Sequence, residues 1–135
     1  GYINTNYRGK ADAALERLEV MDFVFLHVEA PDEAGHSGDH LEKIKAIEKF
    51  DEEVVGRVLE GLGAFDDYIV LVASDHLTPT VRRTHTDDPT PFAWACRSEL
   101  EQGGSGPGFT EASAKDSGLC FPKGHKLMPA FLSGC

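Results

Sequence analysis

Cysteine is scarce. The three present, Cys96, Cys120 and Cys135, are widely spaced and odd in number. That pattern is neither a disulfide framework nor a zinc-binding spacing, so they read as small buried hydrophobes with a stray thiol near the end, in a reducing cytoplasm. Long apolar runs are missing as well. No stretch approaches the roughly 18 residues that span a bilayer, and no basic segment precedes an apolar one as in a secretory signal. Positive charge is in deficit, with 13 Lys and Arg against 23 Asp and Glu and a formal net charge of -10 at pH 7. Without a basic stripe, nucleic acid is excluded as a partner. An anionic substrate would also be repelled, unless bound cations invert the local sign. No internal repeat is visible.

What is present is ordinary globular composition: 135 residues, 41% hydrophobic and 27% charged. That length suffices for one domain with a core, expected over residues 1–135. The chain starts at Gly1 and soon enters a helical pattern, which suggests a processed product or a piece of something longer.

Residues 7–20 carry Ala11, Ala14, Leu15 and Leu18 at three- and four-residue spacings, a helix signature. Residues 22–29 are almost wholly apolar and rich in branched and aromatic side chains, as in a strand covered on both faces. Pro31 should end it and open a loop. A long helix is expected from about 40 to 62, capped by Ser37 or Asp39, with Leu41, Ile44, Ile47, Val54, Val58 and Leu62 on its buried face. Residues 68–74 read as a second buried strand. Strand, helix, strand in that order is a βαβ unit with a parallel sheet. Further expectations are a third strand over 91–97, a flexible glycine-rich loop over 102–108, a short helix over 111–117 capped by Thr110 or Ser113, and a last helix within 124–132. The fold class is therefore α/β, a mostly parallel sheet with flanking helices.

The chemistry lies in two clusters placed after the first two strands: Pro31-Asp32-Glu33-Ala34-Gly35-His36, and Ser74-Asp75-His76-Leu77-Thr78-Pro79 with His85 beyond. Open parallel sheets bind ligands outside the carboxyl ends of their strands. Asp32, His36, Asp75, His76 and His85 are then candidates to converge there. Carboxylate oxygen with imidazole nitrogen suits Mn²⁺, Zn²⁺ or Mg²⁺. Two such cations close together can clamp both oxygens of a phosphoryl transfer. The bland reading is that each Asp-His pair is a solvated loop pair; position at two strand ends favours metal. His27 reads as a hydrogen-bonded core histidine, and His40 and His125 as surface residues. Arg82 and Arg83 either aim guanidinium groups at a phosphate or carboxylate, or pair with Asp87 and Asp88. The glycine-rich stretch lacks the Lys and Ser/Thr of a phosphate-binding loop, so it takes no nucleotide role.

The segments DFVFLHVEAPDEAGHSGD, KIKAIEKFDEEVVGRVLEGL, IVLVASDHLTPT and RRTHTDDPTPFAW resemble the metal-binding half of the alkaline phosphatase superfamily. More narrowly they are similar to the archaeal-type branch of the cofactor-independent phosphoglycerate mutases. The resemblance extends weakly through FTEASAKDSG and GHKLMPAFL, hence over nearly the whole chain. It implies part of an alkaline-phosphatase-like core and a two-metal site, with Asp32, His36 and His85 around one ion and Asp75 with His76 at the other. It also implies two divalent ions, Mn²⁺ first with Zn²⁺ or Mg²⁺ as alternatives, and no organic cofactor. The partner is a small phosphorylated substrate, phosphoglycerate, with no nucleic acid and no membrane. In such enzymes an aspartate near the amino terminus and a nucleophilic serine complete the second ion's site, and the serine carries the phosphoryl group between the 3- and 2-hydroxyls. Ser37 and Ser74 adjoin candidate ligands but neither stands where that serine is expected. No catalytic residue is therefore assigned here: the nucleophile, the first strand and the substrate-binding domain would lie outside this chain, which alone would be inactive. The alternatives are another phosphohydrolase or phosphomutase of the superfamily, or a metal-binding module without chemistry.

Overall fold

Helix initiation is written into short polar residues. Asn6 caps the first helix, α1 (Tyr7–Leu18), its side chain accepting from the Gly9 amide at 2.9 Å. The computed structural model describes residues 2–103 and 106–134, so Cys135 and part of the glycine-rich loop expected over 102–108 lie outside the described residues. The described chain groups into two compact units: residues 1–65 with 77–87, and residues 66–76 with 88–135.

The first unit is helical. After α1 comes α2 (Ala30–Ser37), then α3 (His40–Lys49), a π-helical segment (Phe50–Gly56) and α4 (Arg57–Leu62). Asp39 caps α3 by accepting from the Glu42 amide at 3.0 Å. The expected 40–62 helix thus exists, but a π-helical stretch interrupts it. Tyr7, Ala11, Ala30, Ala46 and Val54 form the core, with Leu26, Val28, Phe50 and Val58 packed against them. Lys49 lies over the Tyr7 ring, 5.9 Å from its centroid. Burial, followed by the nearby Glu53 carboxylate, holds the Tyr7 phenol above its ordinary pKa of 10.0. Arg57 donates to Asp12 at 2.7 Å, which ties α4 to α1 and raises the guanidinium pKa.

Two expectations fail in this unit. Residues 22–29 do not form a strand. Their exposure still alternates: Val24, Leu26 and Val28 are half-buried, while Phe23, Phe25 and His27 are exposed. A strand needs a ladder partner, and among the described residues no backbone–backbone hydrogen bond reaches residues 22–28. His27 is accordingly no core histidine; it stacks on Phe25 with centroids 6.2 Å apart, and its carbonyl accepts from Lys10 Nζ at 3.1 Å. Second, the stretch after Pro31 is a helix rather than a loop. Pro31 sits in the first turn, where its missing N–H costs nothing, Asp32 and Glu33 follow, and left-handed Gly38 (φ 79°) ends the helix.

The second unit holds the sheet. Strands β1 (Ile69–Ala73) and β2 (Phe92–Cys96) pair antiparallel, Ile69 opposite Cys96 and Ala73 opposite Phe92. The mostly parallel sheet is therefore not found among the described residues. The connection between these strands carries no crossover helix, the usual link of a parallel pair, and residues 22–29, the expected first strand, make no ladder among the described residues. Phe92, Trp94 and Phe121 cluster with centroids 5.6–6.1 Å apart. Cys96 is buried and disulfide-bonded, a correction to the expected free thiol, whereas Cys120 is exposed and free. Sequence spacing does not fix which sulfurs meet in space. Helices α5 (Arg97–Glu101), α6 (Glu111–Asp116, capped by Thr110) and α7 (Leu127–Leu132, after a 3-10 turn at Gly124–Lys126) complete the chain. Among the described residues no helix is long and apolar enough to cross a membrane.

Candidate metal centre

Asp32 and His36 stand four residues apart on α2, a spacing that puts both side chains on one helix face. His36 Nε2 lies 3.4 Å from Asp32 Oδ2. Facing them is an irregular hairpin, residues 77–87. It is pinned by an antiparallel bridge between Leu77 and Thr86 and by a turn in which the Arg82 and Arg83 amides both donate to Pro79 O at 2.9 Å. This hairpin carries His85, whose Nε2 lies 3.1 Å from His36 Nε2 and 3.5 Å from Asp32 Oδ1. The two imidazole planes are tilted by 50° with centroids 5.0 Å apart. Three of the five residues singled out from sequence thus meet in one place, within the first unit.

Two further residues fix this arrangement. Thr78 is 3% exposed, and its hydroxyl donates a short hydrogen bond to Asp32 Oδ1. Its carbonyl in turn accepts from Lys43 Nζ at 2.6 Å, which joins the hairpin to α3. Arg83 offers its carbonyl to His36 Nδ1 at 3.0 Å. A carbonyl can only accept, so Nδ1 of His36 is the donor in this contact; in the neutral ring that leaves the Nε2 lone pair facing His85 and Asp32. The Arg83 side chain lies against Gly38 at the end of α2. Sequence reading missed Thr78 and the Arg83 carbonyl; the Thr-Pro pair after Asp75-His76 was the available signal for the first.

Asp75 and His76 belong to the second unit. There the His76 amide donates to Asp75 Oδ1 at 3.1 Å, His76 Nε2 lies 3.5 Å from Asp75 Oδ2, and Ser74 Oγ donates to His76 O at 2.9 Å. These contacts order the pair locally just after β1.

A family model described as the metalloenzyme superfamily matches residues 2–132. Among curated proteins, the chain is 49% identical to a probable 2,3-bisphosphoglycerate-independent phosphoglycerate mutase of Geobacter sulfurreducens, covering 98% of the chain and 33% of that protein. It is 46% identical to a 2,3-bisphosphoglycerate-independent phosphoglycerate mutase of Methanothrix thermoacetophila, over 99% of the chain and 34% of that protein. The chain therefore spans about a third of the length of these relatives. A solved protein structure from Pyrococcus horikoshii superposes with a TM-score of 0.83 at 31% identity, covering 98% of this chain and 39% of that one. With nearly its whole length matched, the chain belongs to the metalloenzyme superfamily.

Proposed function

We propose that this chain supplies the metal-holding part of a 2,3-bisphosphoglycerate-independent phosphoglycerate mutase, with Asp32, His36 and His85 as ligands of one divalent ion and Asp75 and His76 as ligands of a second. One observation carries the reading: the separations of 3.1, 3.4 and 3.5 Å among the two Nε2 atoms and the Asp32 carboxylate oxygens. Donors bound to one ion by ~2.1 Å bonds stand roughly 3.0–3.4 Å apart, from octahedral to tetrahedral geometry. Two nitrogens and a carboxylate therefore fit a borderline or hard cation, and Mn²⁺ is the ion we favour, with Zn²⁺ or Mg²⁺ as alternatives. Bound ions would supply Lewis acidity to a phosphoryl oxygen and offset the chain's net charge of -10 near an anionic substrate.

The residues of this chain have distinct duties in that reading. Asp32 brings a negative charge, oriented by the Thr78 hydroxyl. His36 brings a neutral imidazole whose Nδ1–H is committed to Arg83 O. His85 approaches from the hairpin, so closing the ligand set couples α2 to residues 77–87. The nucleophilic serine and the substrate-binding groups are assigned to parts of the full-length protein outside this chain, and the substrate is phosphoglycerate. A phosphate ester of that charge crosses bilayers poorly, so a cytoplasmic location goes with the substrate.

The test is direct. Full-length protein with Mn²⁺ is expected to interconvert 3- and 2-phosphoglycerate without releasing phosphate, and to stop on addition of EDTA. Release of inorganic phosphate without isomerised product would replace the mutase by a hydrolase. Turnover indifferent to chelation would remove the metal site itself.

A further inference from the structure

Among the described residues, Arg83 is the one non-glycine with a left-handed backbone, at φ 55°. L-residues other than Asn and Asp avoid this region because Cβ crowds the following carbonyl, and glycine, which has no Cβ, does not. A residue held there against its preference is maintained by its surroundings, and such positions concentrate at functional sites. Here the surroundings are specific. The Arg83 amide donates to Pro79 O at 2.9 Å, closing the turn. Its guanidinium rests on left-handed Gly38, where any Cβ would collide with Arg83 Nε, Cζ and Nη2. That position is the carboxyl end of α2, where the helix dipole favours a cation. Between these two anchors, the left-handed turn directs the Arg83 carbonyl at His36 Nδ1, 3.0 Å away.

We propose that Arg83 is a positioning residue, whose left-handed backbone presents its carbonyl to Nδ1 of His36 and thereby keeps Nε2 unprotonated and aimed at Asp32 and His85. The identity of the side chain matters less than the backbone conformation it tolerates. The guanidinium adds a clamp on α2 rather than a contact with substrate. The role for the ion rests on the metal-centre reading above; the tautomer itself does not.

Two measurements separate those levels. In metal-free full-length protein labelled with ¹⁵N-histidine, at a pH above the imidazole titration, long-range proton–nitrogen correlations are expected to report His36 as the Nδ1–H tautomer. Mn²⁺ affinity is read independently from the free-ion electron paramagnetic resonance signal. R83G keeps the left-handed turn available and is expected to retain the tautomer, with affinity within about threefold of the parent. R83N, which tolerates the same region, serves as a second rescue. R83V, whose branched side chain opposes it, is expected to populate Nε2–H and to lose about 10- to 100-fold in affinity, the usual cost of losing an outer-shell partner. An Nε2–H tautomer in the parent protein overturns the proposal without any variant. So does an R83V that folds and keeps both the parent tautomer and affinity. A parent protein with the Nδ1–H tautomer but no Mn²⁺ binding would instead refute the metal reading and leave the positioning geometry standing.

Discussion

At the scale of single residues, the candidate site depends on three side chains that cannot replace one another. His36 and His85 stand 3.1 Å apart at Nε2, on different elements, so removing either leaves one imidazole and one carboxylate. Both rings are partly exposed, with side-chain exposures of 39% and 52%, so truncation opens no core cavity. H36A or H85A in full-length protein is therefore expected to lower turnover at least about hundredfold while the far-ultraviolet dichroism stays unchanged. Wild-type rates in either variant would remove that residue from the site. That these three side chains meet was legible because chemistry and spacing coincide: Asp32 and His36 are four apart, and His85 is the imidazole following Asp75-His76. The contact Thr78 makes was not legible, although the Thr-Pro pair marked its position. A threonine hydroxyl has no composition signal, and its partner Asp32 lies 46 residues away.

Elements show the same division between local and long-range causes. Helix α1 and strands β1 and β2 fall within a few residues of where periodicity puts them, because apolar spacing and turn residues decide them locally. The long helix was legible in extent but not in facing. A π-helical turn holds more residues than an α turn, so seven of them over Phe50–Gly56 rotate later side chains by roughly a third of a turn. Val54 and Leu62 are buried as a result, while Leu41, Ile44 and Ile47, on the same predicted stripe, are 48–61% exposed. Helix α2 was missed although its start and stop signals, Pro31 and Gly38, were both present. Its placement is tested by Gly35, where an added Cβ would run into the Thr78 carbonyl and lie 2.9 Å from Thr78 Cγ2. Backbone cannot yield as a flexible side chain does. G35A is expected to destabilise full-length protein by about 1–3 kcal/mol in urea titration and to weaken Mn²⁺ binding by separating Asp32 from Thr78. At Gly56 the nearest atom to an added Cβ, Asp51 O, is 3.5 Å away, so G56A should instead be neutral or mildly stabilising. Equal stabilities for G35A and the parent would mean that α2 does not press on the hairpin.

On the molecular scale, composition and burial part company. A hydrophobic fraction of 41% would ordinarily fill a core. Yet among the described residues the buried apolar ones are Tyr7, Ala11, Ala30, Ala34, Ala46, Val54, Leu62 and Cys96, half of them alanine. Phe25, Val20, Tyr2 and Val81 are 72–90% exposed. Sequence could not reveal this, since pattern says which face of a segment is apolar but not whether anything covers it. Residues 22–29 are the sharpest case, with Leu26 and Val28 packed inward, Phe23 and Phe25 exposed, and no backbone ladder among the described residues. Expressed alone, the 135-residue chain should therefore bind a hydrophobic dye under native conditions, and amides of 22–28 should exchange close to the rate of an unstructured peptide. Amides inside α1 and α3 should exchange more slowly, because helical bonds and the Tyr7–Ala11–Ala46–Val54 packing protect them. Slow exchange across 22–28 together with no dye uptake would show that these residues are already covered in the isolated chain.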